Sequence, residues 1–217
     1  MLSPKEIIAK RIALELKDQS LVNLGIGIPT LVSNYIPKDI TIYLQSENGI
    51  IGIGPDPKPN EGDPKLINPS GNLTTILPYG MYFDTSLAFT IIRGGHLDVT
   101  VLGCLEVDQE GSMASWIIPG EKVPGMGGAM DLVVGAKKVI IATTHTNKDG
   151  KSKIKRACSL PLTAYKEVDL IVTELAVMAV KSDGLHLIER HQHSTIEEII
   201  EKTDAHLIIN TVKIMEV

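Results

Sequence analysis

Four short segments consist almost entirely of β-branched and aliphatic residues: Val99-Thr100-Val101-Leu102, Val139-Ile140-Ile141-Ala142, Leu170-Ile171-Val172 and Leu207-Ile208-Ile209. A strand with one wet face alternates apolar and polar residues, so near-continuous apolar runs imply strands covered on both faces. Helices packed against either side of a parallel sheet supply that cover. The chain is therefore predicted to be an α/β protein on an open, mainly parallel sheet with helices on both faces. Two more strands are predicted at 20–24 and 40–44, and helical text surrounds 86–92.

The ends carry helix signals with a mechanism. In Ser3-Pro4-Lys5-Glu6 the serine can cap, Pro4 sits where its missing N–H costs nothing, and Glu6 completes a capping box. That helix is predicted to reach about Lys17, a second to run from Pro29-Thr30 to Tyr35, and a last one to follow the capping text Ser194-Thr195-Ile196-Glu197-Glu198. Residues 55–72, rich in Pro, Asp, Asn and Gly, read as a long surface excursion. A length of 217 residues suits a single domain, 1–217, able to bury most of its unfolded surface.

A net charge of −5 leaves no general basic footprint for nucleic acid or an anionic membrane, although Lys151-Ser152-Lys153-Ile154-Lys155-Arg156 is a local basic run, read as an exposed loop. The two cysteines, Cys104 and Cys158, stand in apolar text without metal-site spacing, and read as small buried side chains in a reducing compartment. The first residues alternate charged and apolar and lack a signal-peptide core, and no run approaches the ~20 apolar residues of a membrane span. These features point to a cytoplasmic protein.

Within this frame one acid is out of place. Glu47, in Tyr43-Leu44-Gln45-Ser46-Glu47-Asn48-Gly49, is the single charge between Asp39 and Asp56. Ligands of open α/β sheets collect beyond the carboxyl ends of the strands. Three glycine-rich segments are expected there: Gly25-Ile26-Gly27, 49–54, and 124–131. Two readings remain open on the residues alone. Gly25-x-Gly27-x-x-Thr30 with Glu47 downstream approximates a dinucleotide fingerprint, in a dinucleotide-dependent oxidoreductase or a non-catalytic nucleotide-binding subunit; Thr30 in place of the third glycine and Pro29 at the helix start weaken it. Alternatively, Glu47 is a nucleophile, its attack on an acyl carbon supported by backbone N–H groups of a glycine turn.

Longer stretches carry a resemblance. Leu44-Gln45-Ser46-Glu47-Asn48-Gly49-Ile50-Ile51-Gly52 is similar to the active-site signature of the class I coenzyme A transferases, β-subunit type. Segments 23–32, 92–103, 125–140 and 145–163 extend the likeness over essentially the whole chain, with the 3-oxoacid CoA-transferases of acetoacetate or butyrate-acetoacetate type as the nearest look. The resemblance implies ping-pong transfer through a glutamyl-CoA thioester on Glu47, with the Gly128 amide as oxyanion donor and Gly127 as the near alternative. It implies substrate or CoA contacts from Gly25, Gly27, Asn48, Gly49 and Gly127. It also implies acyl-CoA and a short-chain carboxylic acid as substrates, no metal or redox cofactor because coenzyme A enters as substrate, and a separate α subunit, often in an α2β2 assembly. Thr143-Thr144 before His145, and Asn68-Pro69-Ser70-Gly71, depart from the family text and bear on which acid fits.

The remaining candidates have plainer readings. His96 and His145 read as structural hydrogen-bonding residues, and His191 and His193 as a solvated pair without a third metal ligand. Met126 and Met130 line an acyl pocket or fill core gaps.

Overall fold

The computed structural model describes residues 2–69, 71–120, 123 and 125–217. Its strands are β1 (Ser20–Leu24), β2 (Ile42–Ser46), β3 (Ile50–Ile53), β4 (Ile76–Tyr82), β5 (Val99–Leu102), β6 (Glu106–Asp108), β7 (Met113–Ala114), β8 (Val139–Ala142), β9 (Ile154–Lys155), β10 (Leu170–Val172), β11 (Ala176–Lys181), β12 (Gly184–Arg190) and β13 (Leu207–Ile214). The helices are α1 (Pro4–Ala13), α2 (Thr85–Arg93), α3 (Ala129–Gly135) and α4 (Ile196–Glu201), with a 3-10 helix over Ile28–Tyr35. Among the described residues, a ten-stranded sheet runs β13-β12-β11-β10-β8-β5-β1-β2-β3-β4, and β7-β6-β9 form a smaller one. The five central strands, β10 to β2, are all parallel. Antiparallel strands extend both sides, with β12 and β13 again parallel.

Alternation along the central strands divides the apolar side chains between two cores. On one face Val22, Ile42, Val99, Val101 and Ile140 pack against Ile8, Ala9 and Ile12 of α1 and Val32 of the 3-10 helix. On the other, Leu102, Val139, Ile141 and Ile171 pack against Ile92 of α2, Leu132 and Val133 of α3 and Ile199 of α4. Burial on both faces is why β8 and β10 carry uninterrupted apolar text, while β1, β2 and β5 each hold a buried polar residue, Asn23, Gln45 and Thr100. The predicted α/β architecture with helices on both faces is the one observed.

Several boundaries differ from the sequence expectation. The capping box of α1 is present, but the helix stops at Ala13 rather than Lys17. Its end tightens through i→i+3 bonds from Glu15 and Leu16, and Gln19 then takes a left-handed φ of 63° to enter β1. The second helix is 3-10 rather than α. Strand β2 begins two residues late because the Thr41 N–H is taken by the Asp18 carboxylate, and pairing with β1 starts at Ser20 opposite Ile42. Residues 50–53 form a strand, not a glycine turn: Gly52 faces the Gly80 backbone so closely that a Cβ would lie 2.8 Å from its Cα. The basic run is not a free loop either, since Ile154 is fully buried, Lys153 donates to Thr143 Oγ1 at 3.0 Å and Lys155 pairs with Asp204 at 2.7 Å. In the departing text at 68–71, Ser70 lies outside the described residues.

Candidate active site

Glu47 follows directly on β2, at the carboxyl end of the parallel strands. Gln45 pairs with Asn23 of β1, and Asn23 with Thr100 of β5, so the three side chains form one row across the sheet. Glu47 is two residues beyond Gln45, which keeps it on the same face, the one covered by α2 and α3. Asn23 Nδ2 reaches Glu47 Oε2 at 3.2 Å and Gln45 Oε1 at 3.0 Å. Glu47 itself is half-buried, while Asn23, Gln45 and Thr100 are buried. Asn23 Oδ1, Gln45 Nε2 and Thr100 Oγ1 have no protein partner among the described residues. Buried polar atoms of this kind are paired by water or ligand or carry a cost of about 1–3 kcal/mol.

The turn after Glu47 is tied to α2. Gly49 has φ 103°, and a Cβ there would sit 1.9 Å from the carbonyl oxygen of Phe83, so neither the backbone nor the space admits a side chain. Gly49 donates its N–H to Ser46 O at 3.1 Å and accepts from the Phe83 N–H at 3.0 Å. The next residue, Asp84, caps α2 by accepting from Leu87 N–H at 2.8 Å. Asn48 is exposed; it accepts from Ser46 Oγ and donates Nδ2 to Ile67 O at 2.8 Å, which anchors the excursion to the turn.

Gly128 stands near the carboxylate. The position of a Cβ on Gly128 would be 3.6 Å from Glu47 Oε1 and 3.4 Å from Phe89 Cζ. Gly128 is buried, whereas the neighbouring Gly127 is exposed with open space around it. Pro124, the first residue of that glycine segment, is outside the described residues. Gly25 donates its N–H to Val101 O at 2.8 Å and packs against Leu102, and Gly27 is exposed. Asn23 and Phe89 were not singled out from sequence. The signal for Asn23 was present, an amide inside the otherwise apolar run Leu21-Val22-Asn23-Leu24.

The other candidates lie elsewhere. His145 is fully buried, with Nδ1 3.0 Å from Thr173 Oγ1 and Nε2 2.9 Å from Thr203 Oγ1. Both threonine hydroxyls also reach backbone carbonyls, Thr203 Oγ1 to Ile199 O at 2.6 Å and Thr173 Oγ1 to Ala176 O at 3.2 Å. Burial, reinforced by Lys202, pushes the His145 pKa down to about 4. His96 is exposed, and the rings of His191 and His193 lie tilted to one another at 58° with centroids 5.3 Å apart. Met126 is half-buried and Met130 exposed. Burial pushes both thiols up to about 12, with Cys104 buried and Cys158 half-buried. Among the described residues no group of three or more His, Cys, Asp and Glu gathers at metal distances, and no helix is long and apolar enough to cross a membrane. A concavity of about 530 Å³, lined by Leu31, Ile36, Ile42 and Leu44 among others, opens on the α1 side of the sheet and does not include Glu47.

The chain matches the Coenzyme A transferase family model over residues 5–202. It is 51% identical over 208 residues to the beta subunit of the acetate CoA-transferase of Haemophilus influenzae, covering 96% of this chain and 93% of that protein. It is 46% identical over 210 residues to the B subunit of the probable succinyl-CoA:3-ketoacid coenzyme A transferase of Bacillus subtilis, covering 97% of each. Among solved structures, the acyl-CoA transferase of Escherichia coli O157:H7, as a thioester complex with CoA, superimposes with a TM-score of 0.76 and 27% identity. All of this chain is covered, and it spans 44% of that longer chain. With the family model matched over most of its length, and relatives this similar covered nearly end to end, the chain belongs to the coenzyme A transferase family of enzymes.

Proposed function

We propose that this chain is the β-type component of a cytoplasmic CoA-transferase that moves coenzyme A between a short-chain acyl-CoA and a small carboxylic acid, 3-oxo acids such as acetoacetate included, with Glu47 as nucleophile. One observation carries the reading: the Glu47 carboxylate is half-buried at the carboxyl end of the parallel sheet, with a side-chain amide on Oε2 and the Gly128 backbone beside Oε1.

In the first step a Glu47 oxygen forms a bond to the thioester carbon and the C–S bond breaks, leaving a mixed anhydride and CoA thiolate. The thiolate then attacks the Glu47 carbonyl carbon. The bond between the Glu47 carboxyl carbon and the bridging oxygen breaks, the donor acid leaves as carboxylate with that oxygen, and Glu47 holds CoA as a thioester. The acceptor carboxylate runs the same steps backwards. Each attacking group is already an anion, so no general base, metal or redox cofactor enters the scheme, and coenzyme A is a substrate. Asn23 aims the carboxylate. The Gly128 N–H is assigned to the developing oxyanion in preference to Gly127, whose exposed position leaves it outside the buried wall. Gly49 and Asn48 fix the turn rather than touch the acyl carbon; Gly25 and Gly27 are assigned to the loop that bounds the CoA path.

Relatives of comparable length are named as transferase subunits, and the longer single-chain neighbour is about twice this size. That pattern supports an α-type partner of similar size, needed for turnover; the α2β2 stoichiometry is part of the proposal. A dinucleotide-dependent enzyme is the less supported reading, because Gly27 leads into a 3-10 helix without the α-helical N-terminus that holds a pyrophosphate.

The deciding experiment combines the chain with its α-type partner and acyl-CoA, and examines the Glu47 peptide by mass spectrometry. The expected result is CoA attached at Glu47 and its loss in Glu47→Ala. An adduct on another residue, or full turnover by Glu47→Ala, overturns the proposal.

A further inference from the structure

We infer that Phe89 is the wall of the acyl subsite and sets how long an acid Glu47 can carry. This inference rests on the transferase reading above and adds to it the residue that measures the substrate.

The starting point is Gly128. Its φ of −84° and ψ of 4° are open to any residue. A methyl group added there would meet Phe89 Cζ at 3.4 Å, Phe89 Cε1 at 3.6 Å and Glu47 Oε1 at 3.6 Å, which are ordinary contact distances. Packing alone therefore does not exclude a side chain. The contrast with Gly135 is direct, since a Cβ there would lie 2.2 Å from the Ile92 carbonyl oxygen. The missing side chain at Gly128 leaves a space about one methyl wide, bounded by the reactive carboxylate on one side and the edge of an aromatic ring on the other. An acyl group bonded to Glu47 Oε1 extends into that space, and the first protein surface its alkyl end meets is Phe89.

The ring is held in place from several directions. Helix α2 begins at the turn that carries Glu47, through the Phe83–Gly49 hydrogen bond and the Asp84 cap. Its other end is joined to α3 by the Arg93–Asp131 ion pair at 2.6 Å. Arg93 also lies over the Phe89 ring, 5.4 Å from its centroid. Phe89 is half-buried, and its covered side packs on the core beneath α2 and α3. A ring fixed this way cannot yield to a longer chain, so its contact distinguishes acids by the number of methylenes; the ligand class it favours is short, unbranched and aliphatic.

The test uses the assembled enzyme with its α-type partner and one acyl-CoA donor. kcat/KM is measured for acetate, propionate, butyrate and hexanoate as acceptors. Phe89→Ala and Phe89→Leu are each expected to raise the hexanoate-to-acetate ratio, by about tenfold or more for Phe89→Ala, the order of discrimination that a methylene in an apolar pocket commands. Gly128→Ala keeps the N–H and adds a methyl to the same space, so it is expected to lower that ratio by a similar factor. Should Phe89→Ala fail to assemble, Phe89→Leu and Gly128→Ala decide. A ratio that moves less than about twofold in the assembled variants overturns the inference while leaving the transferase reading intact, taking that discrimination as the yardstick. Absence of wild-type transfer to every acid, with no adduct on Glu47, removes the transferase reading itself and this inference with it.

Discussion

Asn23 and Glu47, 24 residues apart in sequence, meet at 3.2 Å through Nδ2 and Oε2. The contact follows from strand register: Asn23 pairs with Gln45, and Glu47 continues the same face. Removing the amide in Asn23→Ala is expected to lower kcat/KM about 10- to 100-fold, the equivalent of a hydrogen bond to a charged group at ~1.5–3 kcal/mol. Asn23→Asp is expected to do more harm. A second carboxylate at this distance repels Glu47 and offers no donor to Oε2, which kcat/KM of the assembled enzyme would register.

Gly49 is the tightest point of the site. With φ at 103° and the Phe83 carbonyl 1.9 Å from any Cβ, Gly49→Ala must displace the turn or the start of α2. A loss of about 2–3 kcal/mol is expected, together with most of the activity. Thermal unfolding and the Glu47 adduct assay would check the two halves. Gly127→Ala, at an exposed position with open space, is expected to cost less in both measurements.

Stability is expected to fall in mild acid because of His145. Burial holds its folded pKa near 4, below the ordinary 6.5, so between these values the unfolded chain binds a proton that the folded chain refuses. The contribution is complete above pH 6.5 and is lost as pH drops toward 4, an upper bound of about 3 kcal/mol at ~1.36 kcal/mol per pH unit. Glu174, raised by burial, acts in the opposite sense, stabilising the folded state as its carboxyl protonates. Urea titrations from pH 7 to 4 should therefore show a flatter slope in His145→Asn than in the parent chain.

Arg11 tests the packing of α1 against the far end of the sheet. Its Nε and Nη2 donate to both oxygens of Glu189 at 2.6 and 2.8 Å, and Nη2 also lies 2.8 Å from Glu15. Arg11→Ala leaves two carboxylates without this partner in a largely buried place, and is expected to destabilise by about 3–5 kcal/mol. Arg11→Met combined with Glu189→Leu is expected to recover much of that loss in chemical denaturation.

The chain order of residues carried a good part of the fold. Strands at Val99–Leu102, Val139–Ala142 and Leu170–Val172 stand where their apolar runs begin and end, because burial on both faces favours apolar side chains throughout, Thr100 of the site row apart. The cap of α1 was equally legible, since Ser3 and Glu6 bond within one turn. Strands β11 and β12 were missed although Asp183-Gly184 marks a hairpin between them, their text being less uniformly apolar. The strand at residues 50–53 was hidden because Gly52 there serves close backbone approach to Gly80, a tertiary cause that looks like a turn in sequence.

From the sequence alone came the α/β class, the two-sided cover of the sheet and the unusual acid at position 47, because each depends on periodicity or on a residue out of keeping with its neighbours. Tertiary structure alone decided which glycine stands near that acid, which amide holds it and which ring bounds the space beside it. Gly128, Asn23 and Phe89 come from three separate elements, and their approach to Glu47 is set by strand register and helix packing over long sequence separations, for which no local pattern exists.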